Sequence, residues 1–181
     1  DRKVDFMYDI FTMRDFKMLK GFLWGSSTAG HQIEGGDVNA GRSDINIDMN
    51  KVAKDYVPAG KACNHYEFYK EDAELVKQLG HQAYRMSVEW SRIEPSEGEF
   101  NKDALEHYLD ELSVLKEKGI KIFLTLVHFT VPKWFADLGG FKKMENYKYF
   151  ERYIDFIVPK ISEFVDFWNI FNETNHHNRP D

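Results

Sequence analysis

Strand-like and helix-like periodicity alternate along this chain, and that alternation constrains its fold more than any single residue. Phe22, Leu23 and Trp24 form a short apolar run broken by Gly25, which reads as a first strand. The polar stretch 34–62, scattered with Gly, Asn, Asp and Pro, reads as a long loop on it. Tyr66, Tyr69, Ala73, Val76 and Leu79 then recur at three- and four-residue steps and Gly80 follows, which predicts an amphipathic helix over 64–79 capped by Asn64. A second strand is expected over 82–89. Asn101 opens a second helix with Leu105, Tyr108, Leu109, Leu112 and Leu115 on one face and Lys116 and Lys118 near its negative end. A third strand over 120–127 follows. Tyr149, Phe150, Tyr153, Ile154, Ile157, Val158 and Ile161 mark a third helix that Pro159 should kink or end early, before a fourth strand over 165–171.

Strands joined by helical crossovers imply a parallel sheet of α/β class. The near-continuous apolarity of the third and fourth strands suits strands covered on both faces. Two closures are open to such a chain, a doubly wound sheet or part of a (β/α)8 TIM barrel. No G-x-G-x-x-G or G-x-x-x-x-G-K-[ST] follows any strand, which weighs against a nucleotide fold. A barrel accounts for polar residues just past each strand: Gln32, then 87–92, then His128, then Asn172 and Glu173. An amide and a carboxyl at the end of an aromatic strand are costly in a core and useful at a barrel mouth, so Glu173 is the candidate proton donor.

Composition narrows the function classes. A net charge of −6 over 181 residues argues against nucleic acid and anionic membranes as partners. No apolar run reaches the roughly 18 residues of a membrane span. A lone cysteine, Cys63, excludes an internal disulfide framework and fits a reducing compartment, so a cytoplasmic location is expected. His176-His177 has no third ligand at a suitable spacing, so no metal and no cofactor is expected.

Phe22-Leu23-Trp24-Gly25 with Gly30-His31-Gln32-Ile33-Glu34-Gly35, then Tyr84-Arg85-Met86-Ser87-Val88-Glu89-Trp90-Ser91-Arg92-Ile93-Glu94-Pro95, Thr125-Leu126-Val127-His128-Phe129 and Phe171-Asn172-Glu173 are similar, in that order, to the signatures of the family 1 glycoside hydrolases. That family contains β-glucosidases and β-galactosidases, and the resemblance runs over about 20–175, with 1–19 as an extension of unassigned role. It implies the N-terminal half of a (β/α)8 barrel, strands one to four with their helices, over 20–181.

The resemblance also implies roles. Gln32 and His128 would bind the sugar in the cleavage subsite, Asn172 its 2-hydroxyl, and Glu173 would be the general acid/base of a retaining β-glycosidase acting on terminal glucosides or galactosides. Arg85 would lie against the nucleophile. Phe129 stands where relatives often carry Trp, which keeps a stacking ring and loses an N–H donor. Thr174 stands where Pro is common.

The family's Glu-Asn-Gly signature, source of the nucleophile, has no counterpart in these residues, whereas retaining chemistry needs two carboxyls about 5 to 5.5 Å apart. Glu34, Glu89 and Glu94 are the other acids near strand ends; they read as a loop cap, a partner of Arg85 or Arg92, and a solvated turn. A missing C-terminal half-barrel is therefore the expected partner, in the same longer chain, in a second chain or by self-association. The alternative is an inactive half-barrel that at most binds sugar or assembles with a partner or with itself.

Overall fold

The computed structural model describes residues 18–35 and 60–174. The N-terminal residues 1–17, most of the long loop, and His176-His177 lie outside the described residues. Four parallel strands, β1 Gly25–Ser27, β2 Ala83–Ser87, β3 Lys121–Val127 and β4 Phe167–Phe171, form one sheet in the order 1-2-3-4. Helix α1 Gly30–Ile33 follows β1, and α2 His65–Gln78 leads to β2. Helices α3 Trp90–Ile93 and α4 Lys102–Glu117 separate β2 from β3, and α5 Lys133–Asp137 and α6 Tyr147–Ile161 separate β3 from β4. In a doubly wound sheet the strand order reverses at a switch point. Here every strand pairs in parallel with its sequence neighbour, Tyr84 with Ile122 and Leu124 with Trp168, which is how the wall of a barrel is built.

The two faces of the sheet are chemically distinct. Tyr84, Met86, Ile122, Leu124 and Leu126 are buried in one cluster with Ala73, Val76, Leu105, Leu112, Leu115, Tyr153, Ile157 and Ile161 of the helices. Strand side chains alternate, so Arg85, Phe123, Thr125, Phe167 and Asn169 take the opposite face, where Phe123 and Phe167 stack at 4.2 Å. The first face is covered along β2 and β3 but not along β4, whose Trp168 and Ile170 share that face with Leu124. On β4, Trp168 and Ile170 are 38% and 42% exposed, and beside β1 Trp24 is 57% exposed. The expectation that the fourth strand is covered on both faces is thus not met among the described residues, where β1 and β4 are edge strands.

Local chemistry explains the boundaries. Asn101 caps α4 as its sequence suggests, accepting from the Ala104 N–H at 3.2 Å. Asn64 does not cap α2 with its side chain; it adopts φ +56° with no such bond. Pro159 does not end α6, which continues to Ile161. Beneath the strands Asp166 accepts from Ile122 N and Lys116 Nζ (both 2.9 Å) and from Lys121 Nζ (2.9 Å). Burial alone would raise its pKa, but these donors hold it at about 2.

His65, at the start of α2, ties that helix to α4: Nδ1 meets Asp72 Oδ2 at 2.6 Å and Nε2 meets Glu111 Oε1 at 2.9 Å. Burial would pull the imidazolium down, yet the bonds and charges of Glu111 and Asp72 push it up to about 9 from the ordinary 6.5. A folded value above the free one stabilises fully below the free value and is lost as pH rises through the folded one. We therefore expect about 3 kcal/mol from this site below pH 6.5, by conversion of the shift, falling away as pH approaches 9. Urea midpoints across that range should decline more in the native chain than in His65→Leu; parallel curves would refute it.

Candidate active site

Because the four strands are parallel, their C-terminal ends share one rim. Each end carries a polar device, and β2 lies at the centre of them. Arg85, the third residue of β2, donates from Nε to Thr125 Oγ1 at 3.1 Å and from Nη2 to Asn172 Oδ1 at 2.6 Å. With the Asn169 amide turned to satisfy both its ends, its oxygen also accepts from Nη2 at 2.5 Å. One guanidinium thus spans β2, β3 and β4, and among the described residues its partners are neutral oxygens.

Asn172 is buried directly after β4, where its N–H continues the ladder to Val127 O at 2.9 Å. This brings Asn172 beside the end of β3, one residue from His128, which is also buried. Glu173 follows, exposed, with φ +48°, and Phe129 follows His128 with φ +70°. Left-handed backbone at non-glycine residues is costly by about 1 to 2 kcal/mol and concentrates at functional sites. Both lie beside a candidate sugar-binding residue. Gln32 is exposed on α1, on the same rim, after β1.

Two of the three remaining acids, Glu94 and Glu34, differ from their expected places. Glu94 is not in a solvated turn: it is fully buried, accepts from Trp90 Nε1 and Gly98 N at 2.8 Å each, and pairs with Arg152 of α6. Glu34 is a buried ion-pair member rather than a loop cap, 2.7 Å from Arg92 Nε and 2.8 Å from the Tyr108 hydroxyl. Glu89 is buried and accepts from the Thr130 hydroxyl at 2.7 and 3.0 Å. Sequence reasoning missed Thr130 and Tyr108 as members of this system. Their signals were a hydroxyl two residues past a strand-end histidine and a tyrosine on an otherwise aliphatic helix stripe.

Among the described residues no cluster of His, Cys, Asp and Glu could hold a metal ion, and no helix is long and apolar enough to cross a membrane. The Arg85 node has a measurable weight. Arg85→Met strips charge-assisted donors from Thr125 and buried Asn172, and we expect a loss of about 2 to 3 kcal/mol in urea unfolding. A wild-type midpoint would show that the node carries no stability.

The glycosyl hydrolase family 1 model matches residues 15–179. β-Glucosidase A of Acetivibrio thermocellus is 34% identical over 159 residues, covering 85% of this chain and 36% of that protein. The aryl-phospho-β-D-glucosidase of Bacillus subtilis is 32% identical, with 88% of this chain and 37% of that protein covered. Among solved structures, a β-glycosidase from Pyrococcus horikoshii superposes with a TM-score of 0.77 at 41% identity, covering 87% of this chain and 36% of that one. The order of the parallel strands, the polar rim and these matches converge: the chain belongs to glycosyl hydrolase family 1, forms the N-terminal part of its TIM barrel, and spans little more than a third of the length of those relatives.

Proposed function

We propose that this chain supplies the acid/base half of a retaining β-glycosidase that removes terminal β-linked glucose or galactose. The observation that carries it is the Arg85 node: a guanidinium on the sheet face away from the helices, held by Thr125 and Asn172 and given no carboxylate among the described residues. A cation so held favours an anion placed against it. The nucleophilic carboxylate of a complementary C-terminal half-barrel meets that need. The bare edges of β1 and β4 are where such a half would pair.

In the mechanism, Glu173 gives its proton to the glycosidic oxygen while the incoming carboxylate attacks the anomeric carbon and the aglycone leaves. Glu173, now a carboxylate, takes a proton from water, and the hydroxide cleaves the glycosyl ester with net retention. Asn172 holds the 2-hydroxyl, Gln32 and His128 bind the outer hydroxyls, and Phe129 offers an apolar ring to the sugar face. The lone Cys63 and the net charge of −6 are in keeping with a reducing, cytoplasmic setting and with no nucleic-acid partner.

A second reading has its own observation. Glu34, Glu89 and Glu94 are all buried and bonded, so no second carboxyl of the described strand-end loops is free to attack. The 181-residue chain by itself is accordingly a sugar-binding half-barrel without turnover. Cellobiose hydrolysis separates the readings. The chain alone should release no glucose, and the chain completed by a C-terminal half should. There Glu173→Gln should lower kcat/KM by about a hundredfold or more, the usual weight of a general acid. Equal rates with and without that substitution would remove Glu173 from the mechanism.

A further inference from the structure

Segment 87–92, between β2 and the end of α3, touches the devices after both β1 and β3. Toward β1, Ser87 Oγ accepts from Gly30 N at 2.8 Å, and Arg92 donates from Nε to Glu34 Oε2 and from Nη2 to Gly35 O, both at 2.7 Å. Arg92 also lies 3.9 Å over the Tyr66 ring. Toward β3, the Glu89 carboxylate receives the Thr130 hydroxyl. Tyr108 joins the two sides, donating to Glu34 Oε1 at 2.8 Å and accepting from Glu89 N at 3.1 Å. The approach is tight: a Cβ on Gly30 would stand 2.7 Å from both Glu34 Oε1 and Glu89 Oε1, so only glycine fits between them.

The spacing relative to the rim is regular. Glu34 lies two residues after Gln32, and Thr130 two residues after His128. Between His128 and Thr130 the backbone closes a three-residue turn, Thr130 N to His128 O at 2.9 Å, with Phe129 at φ +70°. That conformation is rare and strained, and persists only where surrounding bonds over-determine it. The Thr130–Glu89 bonds are such a restraint.

The geometry points to segment 87–92 as a positioning frame: through Glu89 it holds the His128–Thr130 turn, and through Arg92 it holds Glu34, so that His128 and Gln32 keep a set distance across the sugar site. This rests on the sugar-binding reading of those two residues. Thr130, Glu89, Arg92 and Glu34 are positioning residues and touch no substrate. A buried ion pair is poor value as a source of stability, since well-packed apolar groups serve as well. Directional, fully bonded polar networks instead specify one geometry.

Thr130→Val keeps the shape of the buried side chain and removes its donor. Glucose titrated into the purified chain, followed by amide NMR, should show affinity weakened at least tenfold and exchange of the Thr130 amide speeded by an order of magnitude. The unfolding midpoint should fall as buried Glu89 loses a charge-assisted donor, and Thr130→Ser should restore affinity, exchange and midpoint together. Arg92→Lys, which keeps the charge but loses the fork to Glu34 and Gly35, should weaken glucose binding while leaving the Thr130 amide protected. Native affinity in Thr130→Val, or a loss in Val and Ser alike that follows a falling midpoint, would overturn the frame. If the native chain takes up no glucose, the sugar-site reading fails; an unaltered Thr130 amide in Thr130→Val would then overturn the frame separately.

Discussion

A strand buried against helices can offer chemistry only at its end, and in a parallel sheet all the productive ends coincide. That constraint organises this molecule. Helices α2, α4 and α6 cover one face with aliphatic and aromatic side chains, so the strand interiors are committed to packing. The polar residues are displaced to the rim or to the opposite face, where burial obliges each to find a partner. Arg85 is the clearest result: its side chain crosses the inner face and bonds to groups from β3 and from the end of β4.

The opposite end of the sheet shows a different use of the same rule. Asp166 gathers a backbone N–H and two lysines below β3, and its lowered pKa marks a stabilising anchor rather than a reactive group. Chemistry at the C-terminal rim and stability at the N-terminal one is the division of labour expected of a (β/α)8 wall.

The exposed apolar residues lie at the two edges of the described sheet. Trp24 beside β1 and Trp168 and Ile170 on β4 lie along the two edges that a closed barrel would cover. Residues with the pattern of interior strands therefore sit at the surface, and the relatives, nearly three times as long as the matched span, possess the additional chain that such edges call for.

Much of this was legible in the residues. Apolar periodicity located α2, α4, α6 and strands β2 to β4, because these elements are long enough for the pattern to repeat. The strand-end residues Gln32, His128, Asn172 and Glu173 were visible as polar groups where apolar runs stop. The short helices α1, α3 and α5 were not visible, since one turn holds no period, and the first strand lies at Gly25–Ser27 rather than in the apolar run before it. Nor could sequence tell a capping asparagine from one in left-handed backbone at position 64, or a solvated Glu94 from a fully buried one. Periodicity and strand-end chemistry are local properties, and these the sequence determined by itself. Which carboxylate meets which cation, Glu34 with Arg92 and Glu94 with Arg152, was decided only in the tertiary structure, because those partners lie 58 residues apart and are chosen by the packing of the strand ends.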